Sequence, residues 1–390
     1  MAARVCRAVS RAISVTVKSA RSRHSHTHAH RSVTRSLVQS AVSPEYGGGA
    51  RDGAGAVLWC TLAFSLFGKT EEEKRYEAKK KEDDMILLLK KAKLCIHRDQ
   101  LNSASSFLHQ AVALAQQLQH QDALVYCYSL MANLSFVRGN LDQAEKLFKA
   151  SLSLILSRGT PESDNAVVEI SLKLAMIYSQ QKRLELAAHG FRFCVETLEE
   201  KLEKENQEKE DQETTQMEPS NEIEEQQRLL LDTRLLLGLA LDSRARFWTQ
   251  TSDLDRAEKD YRRSLKISGE EQGEEHPQTL VLLSDLASVL DLQGRHDEAL
   301  VLVRRAVDLG RTHKHPDLHV LLSNMASILM HSGALEEAHR CYKEALAEAK
   351  RQEDTETVEQ VQAGLEELKR KREERKRGAE EKERGEEERS

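Results

Sequence analysis

The sequence predicts an all-α solenoid of about six helix pairs, and three observations support this fold class. The 390-residue chain contains only 5 prolines and 4% aromatic residues, whereas 31% of its residues are charged. This composition disfavours a β-sandwich and a multi-span membrane protein. A pattern of small and large residues also recurs through the body at intervals of about 40 residues in most copies. A fixed period of roughly 20–50 residues indicates stacked repeats, each of which buries its apolar surface against its neighbours.

The repeat is clearest where two segments align residue by residue. In each segment a His-Pro pair precedes a small residue, a glycine follows seven positions later, and an alanine follows twelve positions after the small residue. The matched residues are Ala287, Gly294 and Ala299 in one segment, and Ala326, Gly333 and Ala338 in the other. This is the helix–turn–helix spacing of a tetratricopeptide repeat, in which small residues lie where the two helices touch and glycine lies in the turn.

The same twelve-residue step between small residues occurs six times. The pairs are Ala92/Ala104, Ala132/Ala144, Ala175/Ala187, Ala245/Ala257, Ala287/Ala299 and Ala326/Ala338. An isolated amphipathic helix would reproduce spacings of three and four but not this longer step. The sequence therefore predicts a repeat solenoid over residues 85–350. The fourth repeat departs from the pattern at Arg244, where leucine is usual.

The N-terminal region differs from the body in its charge. Residues 1–44 hold eight basic residues and no acidic residue, and Val5, Val9, Ile13 and Val17 recur there every four positions. A basic, serine-rich, acid-free segment with an apolar stripe is typical of a mitochondrial transit peptide. We therefore expect residues 1–52 to be a disordered targeting region. The alternative is a nucleic-acid-binding arm, which would rarely carry such a stripe, so we predict no nucleic-acid partner.

Residues 53–68 form a short apolar segment without any charged residue. Sixteen residues in a helix span about 24 Å, which is less than the roughly 20 residues that a relaxed membrane span requires. We predict a marginal transmembrane segment or a sorting segment, because basic sequence precedes it and dense charge follows it. The alternative is a segment that packs against the first helix of the body.

Two charged segments interrupt and follow the repeats. Residues 199–226 lie between the third and fourth repeats and hold 12 acidic and 3 basic residues. Such a segment buries too little apolar surface to offset its ordering entropy, so we expect a mobile acidic loop or a frayed helix extension. The alternative is a contact site for a basic partner. Residues 351–390 are predicted to form a charged tail that is helical or disordered.

The sequence carries none of the common signatures of catalysis or metal binding. It has no Gly-rich phosphate loop, Rossmann fingerprint, zincin motif or nucleophile elbow. His24, His26, His28 and His30 alternate and so do not share a helix face, and no two cysteines form a Cys-x-x-Cys pair. We predict no catalytic residue, no cofactor, no metal and no small-molecule substrate. An enzyme that uses an isolated cysteine is the less favoured alternative.

A repeat solenoid offers binding surface instead of a catalytic cleft. The register places the first helix of each pair along a groove, and we take eleven residues of those helices as candidate contacts for a protein partner. They are Lys93, Asn133, Phe136, Met176, Gln180, Arg246, Gln250, Ser284, Ser288, Ser323 and Ser327. The small residues leave room for an extended peptide or a helix. Because only Lys93 and Arg246 are basic and they lie far apart, a clamp for an acidic tail is disfavoured.

The combination of features resembles the mitochondrial tetratricopeptide repeat protein 19 family. The resemblance rests on the arginine-rich start, the apolar stretch at 53–68, the acidic insertion and long repeats such as Leu286-Ala287-Ser288-Val289-Leu290. Membership implies a matrix-facing protein of the mitochondrial inner membrane that associates with respiratory complex III, the cytochrome bc1 complex. It also implies that the protein helps to clear fragments of the Rieske iron–sulfur subunit. This role is non-catalytic, and the family supplies no catalytic residues.

A cytosolic trafficking adaptor similar to a kinesin light chain is the second functional hypothesis. The long repeats and the His-Pro pairs before the last two of them support it. The chain lacks the heptad coiled coil that such an adaptor would need. The two hypotheses share the fold and differ in cellular location and partner.

The predicted register can be tested by placing a charge at a small position. We expect Ala287→Glu and Ala326→Glu each to lower the free energy of unfolding by on the order of several kcal/mol, because each buries an unpaired charge between two helices. Thermal melting followed by circular dichroism measures this effect. If both variants melted like the parent protein, the register would be wrong.

Overall fold

A computed structural model of the chain describes residues 71–212 and 221–387. Within these ranges the chain forms thirteen α-helices and no β-strand, which confirms the all-α fold class. The chain divides into two compact units. We call the described residues 71–138 the N-terminal unit, and the described residues from 139 onward the C-terminal unit. The predicted targeting region 1–52 and apolar segment 53–68 lie outside the described residues.

The N-terminal unit contains three helices. They are α1 (Glu71–His97), α2 (Leu101–Gln117) and α3 (Gln121–Val137). Ala92 of α1 and Ala104 of α2 are both fully buried in one apolar cluster, which Leu130 of α3 completes. A second cluster contains Met85, together with Cys127 of α3. The first predicted helix pair is therefore α1 with α2, and α3 covers one of its sides.

The C-terminal unit contains ten helices within the described residues. They are α4 (Leu141–Leu156), α5 (Asn165–Gln180), α6 (Leu184–Gln212), α7 (Asn221–Gln250), α8 (Leu254–Gln272), α9 (Pro277–Leu292), α10 (His296–Thr312), α11 (Leu318–His331), α12 (Leu335–Arg351) and α13 (Thr355–Glu387). Each helix from α4 to α13 packs against the next one along the chain, and α5 also contacts α7, as α9 contacts α11. The helices that begin repeats are thus α5, α7, α9 and α11.

The predicted register is confirmed at every small position. All twelve alanines of the six pairs are 0% exposed. The large residues four positions after each second alanine are also buried: Leu108, Phe148, Phe191, Tyr261, Val303 and Tyr342. Cys194 occupies a small position of the same register, where its Sγ lies 3.6 Å from the carbonyl oxygen of Val168. Its burial identifies it as a packing residue, as the repeat pattern predicts.

Polar contacts fix the turn between the two helices of a repeat in the same way in two repeats. In each turn a glutamine and an arginine reach back to an acidic pair on the preceding second helix. The contacts are Gln181–Asp142 (3.0 Å), Arg183–Glu145 (3.1 Å), Gln293–Asp255 (3.3 Å) and Arg295–Glu258 (2.8 Å). The middle residue of each turn has a positive φ, and it is Gly294 in one turn and Lys182 in the other. The turn geometry is therefore retained where the repeat has no glycine.

Arg244 fits the fourth repeat because a matching acid faces it. Its Nε donates to Oδ2 of Asp260 at 2.7 Å, and a terminal nitrogen donates to Oδ1 at 2.8 Å. Asp260 is buried on α8. A bidentate guanidinium–carboxylate pair is geometrically specific, so it joins the two helices of this repeat where leucine would usually pack.

The acidic insertion begins and ends as helix within the described residues. Helix α6 continues from the third repeat through Gln212, and α7 starts at Asn221, well before the buried Ala245 of the fourth repeat. Glu199 pairs with Arg263 of α8, and Lys201 Nζ donates to Oδ1 of Asn165 at 2.9 Å. The start of the insertion is therefore tied to neighbouring helices.

Helix α13 packs as the first helix of a further pair would. Val361 and Leu368 are buried, and α13 contacts both α11 and α12. Asp354 precedes the helix, where it lies 2.9 Å from Nε2 of the buried His319 and accepts a hydrogen bond from the backbone N–H of Thr357. A terminal helix with one buried side closes a repeat array whose last apolar surface would otherwise be exposed.

Gly364 allows α13 to approach Tyr342 closely. A Cβ atom at position 364 would lie 2.7 Å from Cζ and 2.8 Å from the hydroxyl oxygen of Tyr342. Tyr342 is itself buried between α12 and its neighbours. Gly378, farther along the same helix, has no atom within 4 Å of the equivalent position. The two glycines therefore form a matched pair for testing how α13 packs.

We expect Gly364→Ala to lower the free energy of unfolding by about 1–3 kcal/mol, because the added methyl group overpacks the contact with Tyr342. Gly378→Ala should be neutral or stabilise by up to about 1 kcal/mol, since alanine favours an exposed helix. Urea unfolding followed by circular dichroism compares the two. Equal effects of the two substitutions would contradict this packing of α13.

Candidate protein-binding face

Helices α5, α7, α9 and α11 of the C-terminal unit present one side that we call the first-helix face. Side chains tie neighbouring helices together at recurring positions on it. On the earlier helix, the contact comes from the residue directly after the first alanine of the repeat. On the next first helix, it comes from the residue two positions before the first alanine. Ser243 Oγ lies 3.9 Å from Sδ of Met176 in this way, and Arg246 lies 3.1 Å from Asp285.

The contact between α9 and α11 also involves the residue two positions before the first alanine of the later repeat. Asn324, two positions before Ala326, donates from Nδ2 to Oγ of Ser284 at 2.7 Å. Ser284 lies one turn earlier on α9 than the position used in the other ties. The first-helix face is therefore built on a ladder of polar contacts that joins each pair of neighbouring first helices.

The strongest of these ties is a cluster of charges between α7 and α9. Arg246 donates from Nε to Oδ1 of Asp242 at 2.9 Å and from a terminal nitrogen to Oδ2 at 3.1 Å. The same terminal nitrogen lies 3.1 Å from Oδ2 of Asp285. Gln278 Nε2 donates to Asp242 at 3.3 Å. One guanidinium thus serves two carboxylates, and Asp242 is only 2% exposed.

Burial and charge act in opposite directions on this cluster. Burial raises the pKa of Asp242, and the adjacent Arg246 offsets part of this effect. For Arg246, burial alone would lower the pKa, but the charges of Asp242 and Asp285 outweigh it and raise the pKa above its usual value. Arg246 therefore stays protonated. The bidentate contacts to Asp242 are those of an ionised carboxylate, and Asp285 adds a second acidic side chain beside the single guanidinium, so the cluster carries more negative than positive charge.

This arrangement limits what Arg246 offers to a partner. A free guanidinium would attract the carboxylate of an incoming peptide. Here Asp242 and Asp285 already accept its hydrogen bonds, and an incoming carboxylate would have to displace one of them. The cluster as a whole therefore favours a cation over an anion.

A second polar cluster lies at the end of α9. Asp291 is buried, and its two carboxylate oxygens lie 2.7 Å from Nδ1 of His296 and 2.6 Å from Nδ1 of His331. The ring centroids of the two histidines are 6.3 Å apart. Both rings are about one-third exposed. One carboxylate therefore joins the C-terminal end of α11 to the start of α10.

The eleven sequence-predicted contact residues differ in their accessibility. Asn133, Phe136 and Ser284 are buried, so their side chains offer little surface to a partner. The partly exposed ones are Lys93, Met176, Gln180, Arg246, Ser288, Ser323 and Ser327, and Gln250 is exposed. Their role as partner contacts stays a prediction.

The structure brings several of these residues into the polar ladder. Met176, Arg246 and Ser284 take part in the ties described above. Gln250 accepts a hydrogen bond from Ser179 at 3.3 Å. Ser288 Oγ donates to the backbone oxygen of Ser284 at 2.9 Å, so its hydroxyl is used within α9 and adds little bulk to the face. In the N-terminal unit, Lys93 Nζ lies 4.8 Å from the centroid of the Tyr126 ring.

Sequence reasoning missed Asp285, Asn324 and His296 as members of these clusters. A signal for the first two exists in the repeat register, because the residue two positions before the first alanine is polar in five of the six repeats. These residues are Lys90, Lys173, Ser243, Asp285 and Asn324. No comparable signal marks His296, since it lies on the second helix of its repeat and reaches Asp291 across the turn.

Three further findings concern thiols, metal sites and membrane spans in the described parts of the chain. Burial raises the pKa of the Cys127 and Cys194 thiols to about 12, which disfavours the nucleophilic thiolate. Residues 71–212 and 221–387 hold no group of three or more His, Cys, Asp or Glu side chains placed for a metal ion. In the same ranges, no helix combines the length and the apolar character that a membrane span needs.

Comparison with known proteins identifies both the repeat and similar chains. Sequence models of the tetratricopeptide repeat match residues 231–312 and 320–351. The chain is 52% identical over 255 residues to tetratricopeptide repeat protein 19, mitochondrial, of Danio rerio; the match covers 65% of this chain and 60% of that one. It is 46% identical over 283 residues to the Homo sapiens protein of the same name, covering 73% of this chain and 71% of the relative.

Solved structures resemble the chain only at the level of the fold. The crystal structure of BtubC from P. vanneervenii has 20% sequence identity and a TM-score of 0.45, and the match covers 63% of this chain and 93% of that one. A likeness of this size carries no argument about function.

The charge cluster makes a prediction about stability. We expect Arg246→Met to lower the free energy of unfolding by about 3 kcal/mol, the order seen when the partner of a buried charge is removed. Arg304→Met is the matched control, since Arg304 and its partner Glu337 are both accessible, and exposed pairs contribute about 0–1 kcal/mol. Urea unfolding measures both. A cost for Arg246→Met no larger than that of the control would contradict the buried cluster.

Proposed function

The chain belongs to the tetratricopeptide repeat protein 19 family, and from this premise we propose that it is a non-catalytic mitochondrial scaffold that binds respiratory complex III. In this proposal it associates with the inner membrane on the matrix side. It supports the complex by helping to clear fragments of the Rieske iron–sulfur subunit. The observation that carries the proposal is the identity to relatives named as mitochondrial proteins, together with a repeat array that offers surface for protein partners.

The N-terminal sequence supports the mitochondrial location. Residues 1–44 have eight basic residues, no acidic residue and an apolar stripe, the pattern that mitochondrial import reads. The apolar residues 53–68 provide the proposed means of association with the inner membrane. Both features agree with relatives that carry the word mitochondrial in their names.

The chemistry of the described residues supports a scaffold over an enzyme. The four cysteines among them are buried, and the charged side chains of the cluster on the first-helix face contact one another instead of being aimed at a substrate. Serines and a methionine with partly exposed side chains lie beside them at Ser288, Ser327 and Met176. Such a face suits a polypeptide that contributes its own side chains to the contact.

Affinity capture from mitochondria tests the proposal with the full chain. We expect tagged protein in mild detergent to recover subunits of complex III, including the Rieske subunit. Ser288→Arg, which adds a bulky charge to the first-helix face, should lower this recovery by at least about fivefold, because bulk at the centre of an interface prevents close contact. Quantitative mass spectrometry of the captured material measures the recovery.

Val301→Arg is the matched control for this experiment. Val301 is 68% exposed on α10, a second helix of its repeat, so its substitution should leave the recovery unchanged. Capture without any complex III subunit, or a full-length protein that remains in the cytosol, would overturn the proposed function. Equal recovery of complex III with Ser288→Arg and Val301→Arg would contradict the role of the first-helix face in binding the partner.

A further inference from the structure

We infer that the first-helix face around α7 and α9 binds a basic amphipathic helix of a protein partner. The inference rests on the proposed function, because it names the kind of polypeptide segment that this scaffold would hold. It arises from two neighbouring features of the face, a row of partly exposed leucines and the charge cluster with an excess negative charge.

The leucine row lies on the first half of α7. Leu231, Leu235 and Leu239 are spaced by four residues and therefore share one side of the helix. Leu231 is 37% exposed, and the other two are partly exposed. The buried side of α7 is formed by other residues, among them Leu237 and Leu241. Leu239 also packs against the core of this region, so the row is an apolar strip that the folded chain leaves accessible mainly at Leu231 and in part at Leu235.

The charge cluster continues this row along the same helix. Asp242 follows Leu239 by three residues and Arg246 follows Asp242 by four, so both lie on the side of α7 that carries the leucines. Leu231 and Arg246 are separated by about 22 Å at 1.5 Å per residue. A partner helix of about 15 residues would match that length.

Asp285 is the group best placed to receive a cation. Its contact with Arg246 uses Oδ2, and an ionised carboxylate can accept several hydrogen bonds through its two oxygens. Its side chain is 16% exposed, whereas that of Asp242 is 3% exposed. A lysine or arginine of a partner can therefore approach Asp285 and compensate the excess charge, while Asp242 stays with Arg246.

Charge complementarity selects the occupant. An acidic helix would meet the excess negative charge of the cluster, and Arg246 is already engaged by two carboxylates. A basic helix without apolar residues would leave the leucine row uncovered. A helix with apolar residues at spacings of three and four and with lysine or arginine on its flanks satisfies both features.

Fluorescence polarisation with the full chain tests the inference. The probe is a labelled 16-residue helical peptide with leucines on one face and lysines on the flanks, and its comparison peptide has glutamate in place of lysine. We expect the lysine peptide to bind at least about tenfold more tightly than the glutamate peptide, with an affinity that falls as salt screens the charges. Equal binding of the two peptides would overturn the inference.

Substitutions locate the binding site. Asp285→Asn and Leu231→Ser should each weaken binding of the lysine peptide by at least about fivefold. The matched controls are Asp308→Asn and Val301→Ser, both at exposed positions of α10, and they should leave binding unchanged. Leu231→Ser alters an accessible side chain and so keeps the test valid even if Asp285→Asn were to reduce stability. Full binding by both test variants would contradict the assignment of this face.

The outcome can be separated from that of the proposed function. If mitochondrial capture recovers complex III but the lysine peptide does not bind, the inference fails and the scaffold function stands. If the peptide binds with the expected effects of the variants but capture recovers no complex III, the inference stands and the proposed partner is wrong.

Discussion

The burial of small residues at fixed positions of each repeat is the constraint on which the structure depends. Twelve alanines at a twelve-residue step are completely buried, so their positions leave no room for added bulk. This burial fixes how each pair packs and therefore where the large residues, such as Phe191 and Tyr342, fill the layers between helices. The same constraint determines that helix α13, with Gly364 against Tyr342, can take the place of another first helix.

Because the core is formed by small and large apolar positions, the remaining side of each first helix is free to carry other chemistry. On α7, α9 and α11 that chemistry is polar and mutually satisfied. Arg246 binds two aspartates, Asn324 binds Ser284, and Asp291 binds two histidines. These ties hold neighbouring repeats together without large apolar residues. They also give the face an excess of negative charge, although Arg246 alone would suggest a positive one.

The sequence was sufficient to predict the helix pairs because small residues at a long fixed step are visible without knowledge of contacts. It predicted Ala287 and Ala326 as buried, and it predicted Cys194 as a packing residue. It could not reveal that Arg246 is saturated, since Asp285 lies 39 residues away in the chain and only folding brings the two together. The eleven candidate contacts were chosen by register alone. Burial of Ser284 and Phe136 depends on how adjacent helices approach, which register does not specify.

In the proposed function, the first helices of the repeats hold the protein partner. Site-specific photo-crosslinking in isolated mitochondria tests this arrangement, with the crosslinking amino acid placed at Ser288 on α9 or at Val301 on α10. We expect crosslinked products that contain subunits of complex III from position 288 and none from position 301. Products from position 301 alone would contradict it and would assign binding to the opposite helices of the repeats.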